Sequence, residues 1–283
     1  MSYTRVIVLT SLAMIAFAGN SLLCRVALKD TGIDAASFTT IRLISGAVML
    51  WLLVRIGRRR HGDSGNWLSA FALFAYAAGF SFAYVSLSAA TGALLLFGAV
   101  QATMVGHGIF KGERFHGLQV VGLILAFGGL IGLLLPGLTA PPLIGSLLML
   151  GAGVAWGIYS LRGKGAGDPT SVTAGNFLRA VPISAVLSIL MLGNTSLDDA
   201  GILYAVASGA LASGIGYAIW YTVLPALKAT SAATVQLSVP VIAAVGGVVF
   251  LAEPLTLRLV LTSIAILGGI ALVILEKQHA NGA

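Results

Sequence analysis

Charged side chains are scarce in this chain. Asp, Glu, Lys and Arg make up 9% of its 283 residues, whereas hydrophobic types make up 58%. A soluble chain carries roughly 25% charged residues, so this one has too little charge to cover a water-facing surface. Cysteine is almost absent: Cys24 stands alone, which excludes an internal disulfide and reads as a small packed apolar residue. Catalytic motifs are missing as well. The four histidines, His61, His107, His116 and His279, are scattered, and neither HExxH nor GxSxG occurs. No nucleophile–base pair or metal cluster is expected, hence no enzyme, cofactor or metal. Acids avoid the middle of the apolar runs. Glu113 and Glu253 close such runs, while Asp30, Asp34, Asp63, Asp168, Asp198, Asp199 and Glu276 fall in loops or tails. That argues against proton-coupled efflux of cations through a buried carboxylate, and for facilitation or a subtler coupling. The net charge of +7 sits in short loops between apolar runs, which speaks against nucleic acid as a partner.

Ten runs of about 20 apolar residues are present: 5–24, 35–55, 67–87, 91–110, 117–135, 142–161, 171–192, 200–223, 230–250 and 256–275. The expected fold is an all-α integral membrane protein of ten transmembrane helices. The first run, with Arg5 and Ala16-Phe17-Ala18, has the outline of a signal peptide. An internal duplication favours keeping it as a span. Residues 229–255, ATSAATVQLSVPVIAAVGGVVFLAEPL, overlay 89–115, AATGALLLFGAVQATMVGHGIFKGERF, at a constant offset, and Gly128-Gly129 overlays Gly268-Gly269. The expected units are therefore two five-helix repeats, 1–137 and 138–283. Five being odd, they lie inverted in the membrane.

With the N-terminus inside, eleven Lys and Arg residues fall on the cytoplasmic side and three on the outer side; Arg42 and Arg179 lie within spans. This bias places both termini in the cytoplasm of a multi-pass inner-membrane protein. The cluster Arg58-Arg59-Arg60-His61 then reads as a topology anchor rather than a nucleic-acid or lipid patch.

Ligand sites in such folds lie near the bilayer midplane between the repeats. Candidate lining residues are the polar and aromatic ones inside the spans: Asn20, Tyr76, Phe80, Gln101, Trp156, Tyr159, Asn176, Tyr217 and Gln236. Tyr76, Phe80 and Tyr84 share one helix face. Interfacial belts and interhelical glue are the competing readings, above all for Tyr84 and Tyr221 near span ends. A site of amides, hydroxyls and rings suits a zwitterionic or neutral solute, not a phosphate-bearing one. Gating or structural candidates are Arg42, His107, Glu113, Arg179, Pro240 and Glu253. Pro240 and Pro182 act as hinges or as fixed kinks. His107, the mid-span imidazole, bonds a neighbouring helix or titrates. Inverted symmetry suggests Arg42–Glu253 and Arg179–Glu113 as ion pairs, with separate snorkelling and helix capping as the alternative. Gly128-x-x-x-Gly132 and Gly153-x-x-x-Gly157 offer close helix packing within a monomer.

The span 226–256, with Ser231-Ala232-Ala233, Pro240-Val241 and Glu253-Pro254-Leu255-Thr256, together with ten spans and five-plus-five duplication, resembles the EamA-type branch of the drug/metabolite transporter superfamily. The opening SLAMIAFAGNSLLCRVAL and residues 38–42 look closest to its YddG-type amino-acid exporters. The first copy departs from the pattern, with Val100 where the second has Pro240. The resemblance implies export of small zwitterionic solutes, amino acids with aromatic or other apolar side chains, by alternating access through a central cavity. A carrier of other neutral metabolites or drugs, or a lipid-handling flippase, is the alternative.

Overall fold

The computed structural model describes residues 2–57, 64–112, 117–137, 140–163, 167–227, 232 and 235–282, with side chains through Ile274. Among these, ten helices account for the ten apolar runs: α1 (Tyr3–Asp30), α2 (Ala35–Ile56), α3 (Trp67–Tyr84), α4 (Ala89–Phe110), α5 (Gly117–Leu134), α6 (Leu143–Arg162), α7 (Pro169–Leu190), α8 (Asp199–Ala226), α9 (Ser238–Leu251) and α10 (Leu257–Gly282). Nine are long and apolar enough to cross a bilayer, and α9 is shorter. The chain is a multi-pass membrane protein. Large apolar side chains such as Ile124, Phe127 and Ile131 on α5 and Val245, Val249 and Phe250 on α9 point outward, as expected where the solvent is lipid.

Short polar residues start many of the helices. Asp34 accepts from the Ala36 and Ser37 amides, Asn66 from Ser69, Asp168 from Ser171 and Asp198 from Gly201. Each satisfies an amide that the first helical turn leaves unpaired. α1 runs on to Asp30, past the expected end near residue 24, and so carries Arg25 and Lys29 inside the helix. α9 begins at Ser238, after a turn at Leu237. Pro240 consequently lies in its first turn, where a missing amide removes no helical bond. The expected mid-span bend at this proline is replaced by an interruption just before it.

Packing follows a two-fold pattern. α2 packs on α7, α4 on α9 and α5 on α10, while α3–α6 has its counterpart in α8–α1. The α5–α10 seam is reciprocal in detail. A Cβ on Gly129 would stand 2.9 Å from Ala265 Cβ and from Ile266 Cγ1; one on Gly269 would stand 2.7 Å from the Ala126 nitrogen. Shifting the Gly129–Ile266 contact by the repeat offset gives Gly269–Ala126. The seam runs over Gly129 and Gly132 rather than the expected Gly128-x-x-x-Gly132: a Cβ on Gly128 would meet nothing within 4 Å, whereas one on Gly132 would stand 3.5 Å from Thr262 Cγ2. Gly153 and Gly157 do admit α4: a Cβ there would stand 2.6 Å from Ala99 Cβ and 2.8 Å from Thr103 Cβ.

The loops tie off at both ends of the bundle. At the end opposite the termini, Asp34 Oδ2 accepts from the Ser196 amide and Asp198 Oδ2 from the Gly32 amide, both at 3.0 Å, clasping the α1–α2 and α7–α8 loops together. At the end carrying the termini, Asn176 Oδ1 accepts from the Asn66 amide at 2.9 Å, and Arg162 Nε donates to Ser69 Oγ at 3.1 Å.

Candidate functional site

Between the halves lies a cavity whose empty space, counted together with what opens out of it, is about 410 Å³. Its wall takes Phe17, Asn20 and Ser21 from α1, Tyr76 and Phe80 from α3, and Leu96 and Phe97 from α4. Trp156 comes from α6, Ala212, Ser213 and Tyr217 from α8, and Gln236 from just before α9. Six residues expected from the sequence therefore meet here: Asn20, Tyr76, Phe80, Trp156, Tyr217 and Gln236.

Rings form most of one wall. Trp156 stacks on Tyr217 at 5.2 Å and on Tyr159 at 5.3 Å, and tilts against Tyr76 at 4.8 Å. Tyr76 continues through Phe80 to Tyr84, and Phe17 closes on Tyr217 at 5.7 Å. Tyr84 is fully buried and its hydroxyl donates to the Ala89 carbonyl at 3.3 Å, so it does not belong to an interfacial belt.

A polar chain crosses behind the rings. Ser208 Oγ donates to Asn20 Oδ1 at 2.6 Å, Asn20 Nδ2 to the Tyr76 hydroxyl at 3.4 Å, and Arg42 Nη2 to the same hydroxyl at 3.0 Å. Arg42 is 2% exposed and lies 5.3 Å from the Tyr76 ring centre and 4.8 Å from that of Phe80. Cation–π contacts of this kind contribute on the order of 1–2 kcal/mol when desolvated. Ser208 and Ser213 face this region from a π-helical stretch of α8, Ala207–Ile215. Such wide turns recur at functional sites because they re-aim side chains.

The expected Arg42–Glu253 pair does not form. Glu253 instead takes Arg25, whose Nε lies 3.1 Å from Glu253 Oε1, and its other oxygen accepts from the Ala89 amide at 2.9 Å. Arg25 also donates to the Tyr84 and Val85 carbonyls. Extension of α1 carries Arg25 to the level of Glu253, whereas Arg42 turns inward to the rings. Glu113 lies outside the described residues, as do Arg58, Arg59, Arg60 and His61. Arg179 Nη1 donates to the carbonyls of Ser64 and Gly175.

Four other expected residues fall elsewhere. Gln101 lines a separate, almost wholly apolar pocket of about 490 Å³ between α4, α5 and α10. Tyr159 and Asn176 form a second layer, with Asn176 Nδ2 donating to the Tyr159 hydroxyl at 3.4 Å. Asn176 thereby joins α7 to α6 and to the start of α3. His107 is exposed in the last turn of α4, not at mid-depth. Sequence reasoning missed Phe17 and Ser21, although both share a helix face with Asn20. It missed Ser213 because a π stretch defeats the 3.6-residue reading.

A family model described as the EamA-like transporter family matches residues 4–135 and again 143–275. The chain belongs to this family. It is a transporter, not an enzyme, and its two matched segments are the two repeats of the fold. An uncharacterized protein of Pseudomonas aeruginosa is 58% identical over 274 residues, 96% of each chain. The threonine/homoserine exporter RhtA of Salmonella typhimurium is 37% identical over 120 residues, 40% of this chain and 39% of its own. An uncharacterized transporter of Archaeoglobus fulgidus is 33% identical over 175 residues, 60% of this chain and 62% of its own. A solved crystal structure superposes with a TM-score of 0.70 at 18% identity, covering 99% of both chains, which shows a shared fold and nothing finer. These relatives establish the family, not a branch within it.

Proposed function

We propose that this EamA-family transporter exports small amino acids or closely related metabolites across the inner membrane, with both termini in the cytoplasm. The observation that carries the reading is the central cavity, walled by helices of both halves and combining a ring-lined side with Asn20, Tyr76, Ser213 and Gln236. Rings take an apolar body and the polar groups fix its orientation, the usual division of labour in small-molecule sites. The stretch shared with the threonine/homoserine exporter supports amino acids as the solute class.

Residues 1–137 and 138–283 act as the two moving units, in a chain that works as a monomer. The Arg25–Glu253 pair and the Asp34–Ser196 and Asp198–Gly32 clasps hold the end opposite the termini shut. Opening that end requires these contacts to part, so they are the gate of an alternating-access cycle. The test is uptake of radiolabelled threonine, homoserine and phenylalanine into proteoliposomes; absence of uptake of all three rejects the reading.

The lateral pocket at Gln101 favours a second reading, lipid handling, because it is apolar and formed among the outer helices α5 and α10. Fluorescent-lipid scrambling in the same vesicles, without solute uptake, selects it.

A further inference from the structure

We propose that the central cavity holds its solute by a carboxylate, with the Tyr76 hydroxyl as the contact and Arg42 as the positive charge behind it. The inference rests on the exporter reading and narrows it to carboxylate-bearing solutes.

One arginine within the spans has no counter-ion among the described residues. Arg42 is 2% exposed in the first half of a membrane-spanning helix. An arginine keeps its charge in a protein, and an unpaired charge in a low-dielectric interior is costly. Among the described residues Arg42 makes no ion pair, and the carboxylate of Glu253 is held by Arg25. Two rings and one phenolic oxygen compensate the charge in part. Arg42 Nη1 is buried with no acceptor among the described residues.

The Tyr76 oxygen accepts from both Asn20 Nδ2 and Arg42 Nη2. Those two bonds occupy its acceptor sites and leave its own hydrogen free. Tyr76 lines the cavity, so that hydrogen is available to a solute, and the adjoining guanidinium makes it a stronger donor. On α8, Ser213 also lines the cavity and its hydroxyl is buried without a partner. Tyr76, Arg42 and Ser213 therefore present unused donors and one uncompensated positive charge. The missing partner is an acceptor bearing a single negative charge.

That description selects among solutes. A cationic amine without a carboxylate meets a charge of its own sign. A phosphate ester, with close to two negative charges, calls for several cations, and this wall has Arg42 alone behind ring surfaces. A carboxylate matches in charge and in acceptor geometry. The sequence-based expectation of an uncharged site is corrected accordingly, because Arg42 reaches the ring cluster from α2, a helix that contributes nothing to the wall.

The test uses the full-length protein in nanodiscs and equilibrium binding read by tryptophan fluorescence, since Trp156 lines the cavity. The probes are L-threonine, L-homoserine and L-phenylalanine, the amide of each, and phenyl phosphate. At least one acid is expected to bind, with its amide and phenyl phosphate weaker by about tenfold or more. Arg42→Gln should abolish the preference for acid over amide, and Arg42→Lys should retain part of it. Tyr76→Phe keeps the ring under the guanidinium and reads the hydroxyl alone; a tenfold loss for the acid with little change for the amide is expected. It also serves if Arg42→Gln does not fold. Equal binding of acid and amide, no binding by any acid, preference for phenyl phosphate, or an acid preference intact in both Arg42→Gln and Tyr76→Phe overturns the proposal. Transport of the amides as fast as the acids sinks the carboxylate site and leaves the exporter reading standing; acid binding without any transport does the reverse.

Discussion

Glu253 shows how one side chain joins four elements. Its carboxylate accepts from Arg25 of α1 and from the first amide of α4, and Arg25 reaches on to the carbonyls that end α3. Both side chains are largely buried, at 12% and 7% exposure. Removing one partner of such a pair costs about 3–5 kcal/mol. A double-mutant cycle on denaturant stability should give Arg25→Ala and Glu253→Ala a coupling of at least about 0.5 kcal/mol, and Arg42→Ala with Glu253→Ala near additivity. The reverse pattern would restore the pairing expected from depth alone. Gln101 is the opposite case. It is 6% exposed, and no hydrogen bond is found for its side chain among the described residues. Gln101→Leu should leave solute transport near wild type and cause no loss of stability, because an apolar group of similar shape gives up no hydrogen bond to the described residues. A severalfold fall in transport would return Gln101 to the solute path.

At the scale of elements, the clasp between the α1–α2 and α7–α8 loops has a defined pH response. Burial alone would raise the Asp34 carboxyl, but hydrogen bonds from Ser37, Ser196 and Ala36 outweigh it and hold it below the usual range. The Gly32 and Gly201 amides hold Asp198 low in the same way. A depressed folded-state value contributes stability that is complete above the unfolded value, about 3.9, and is lost as pH falls through the lower folded one. The drop in melting temperature between pH 7 and pH 3 should therefore shrink in an Asp34→Asn/Asp198→Asn variant; an unchanged drop would remove these carboxylates from the acid response. The positions of these helices were legible because apolar runs and capping residues set them locally. The inward turn of Arg42 was not, since no local pattern distinguishes a guanidinium that snorkels from one that packs on Tyr76 and Phe80. Nor was the π stretch of α8, whose Ser208 finds Asn20 only across helices.

For the whole molecule, the duplication was the most informative signal, because an offset shared by many residues survives when single contacts do not. It laid Gly128-Gly129 over Gly268-Gly269 without naming a partner for either, and the structure adds that Gly129 and Gly269 exchange contacts across the α5–α10 seam. It gave the cavity between the halves less completely, since Phe17 and Ser21 carry no unusual polarity. Eleven basic residues on one side against three on the other predict a cytoplasmic C-terminus. A periplasm-active reporter fused to Ala283 should be silent and a cytoplasmic one active; the opposite result would reverse the orientation.

Arg42 also has an electrical consequence. Its charge lies inside the membrane field without an ion-pair partner among the described residues. A conformational step that shifts it along the membrane normal works with or against the transmembrane potential. A full crossing by one elementary charge is worth about 2.3 kcal/mol per 100 mV, and a partial displacement a proportional share. If the proposed cycle moves Arg42 along that axis, the membrane voltage biases which end of the bundle opens.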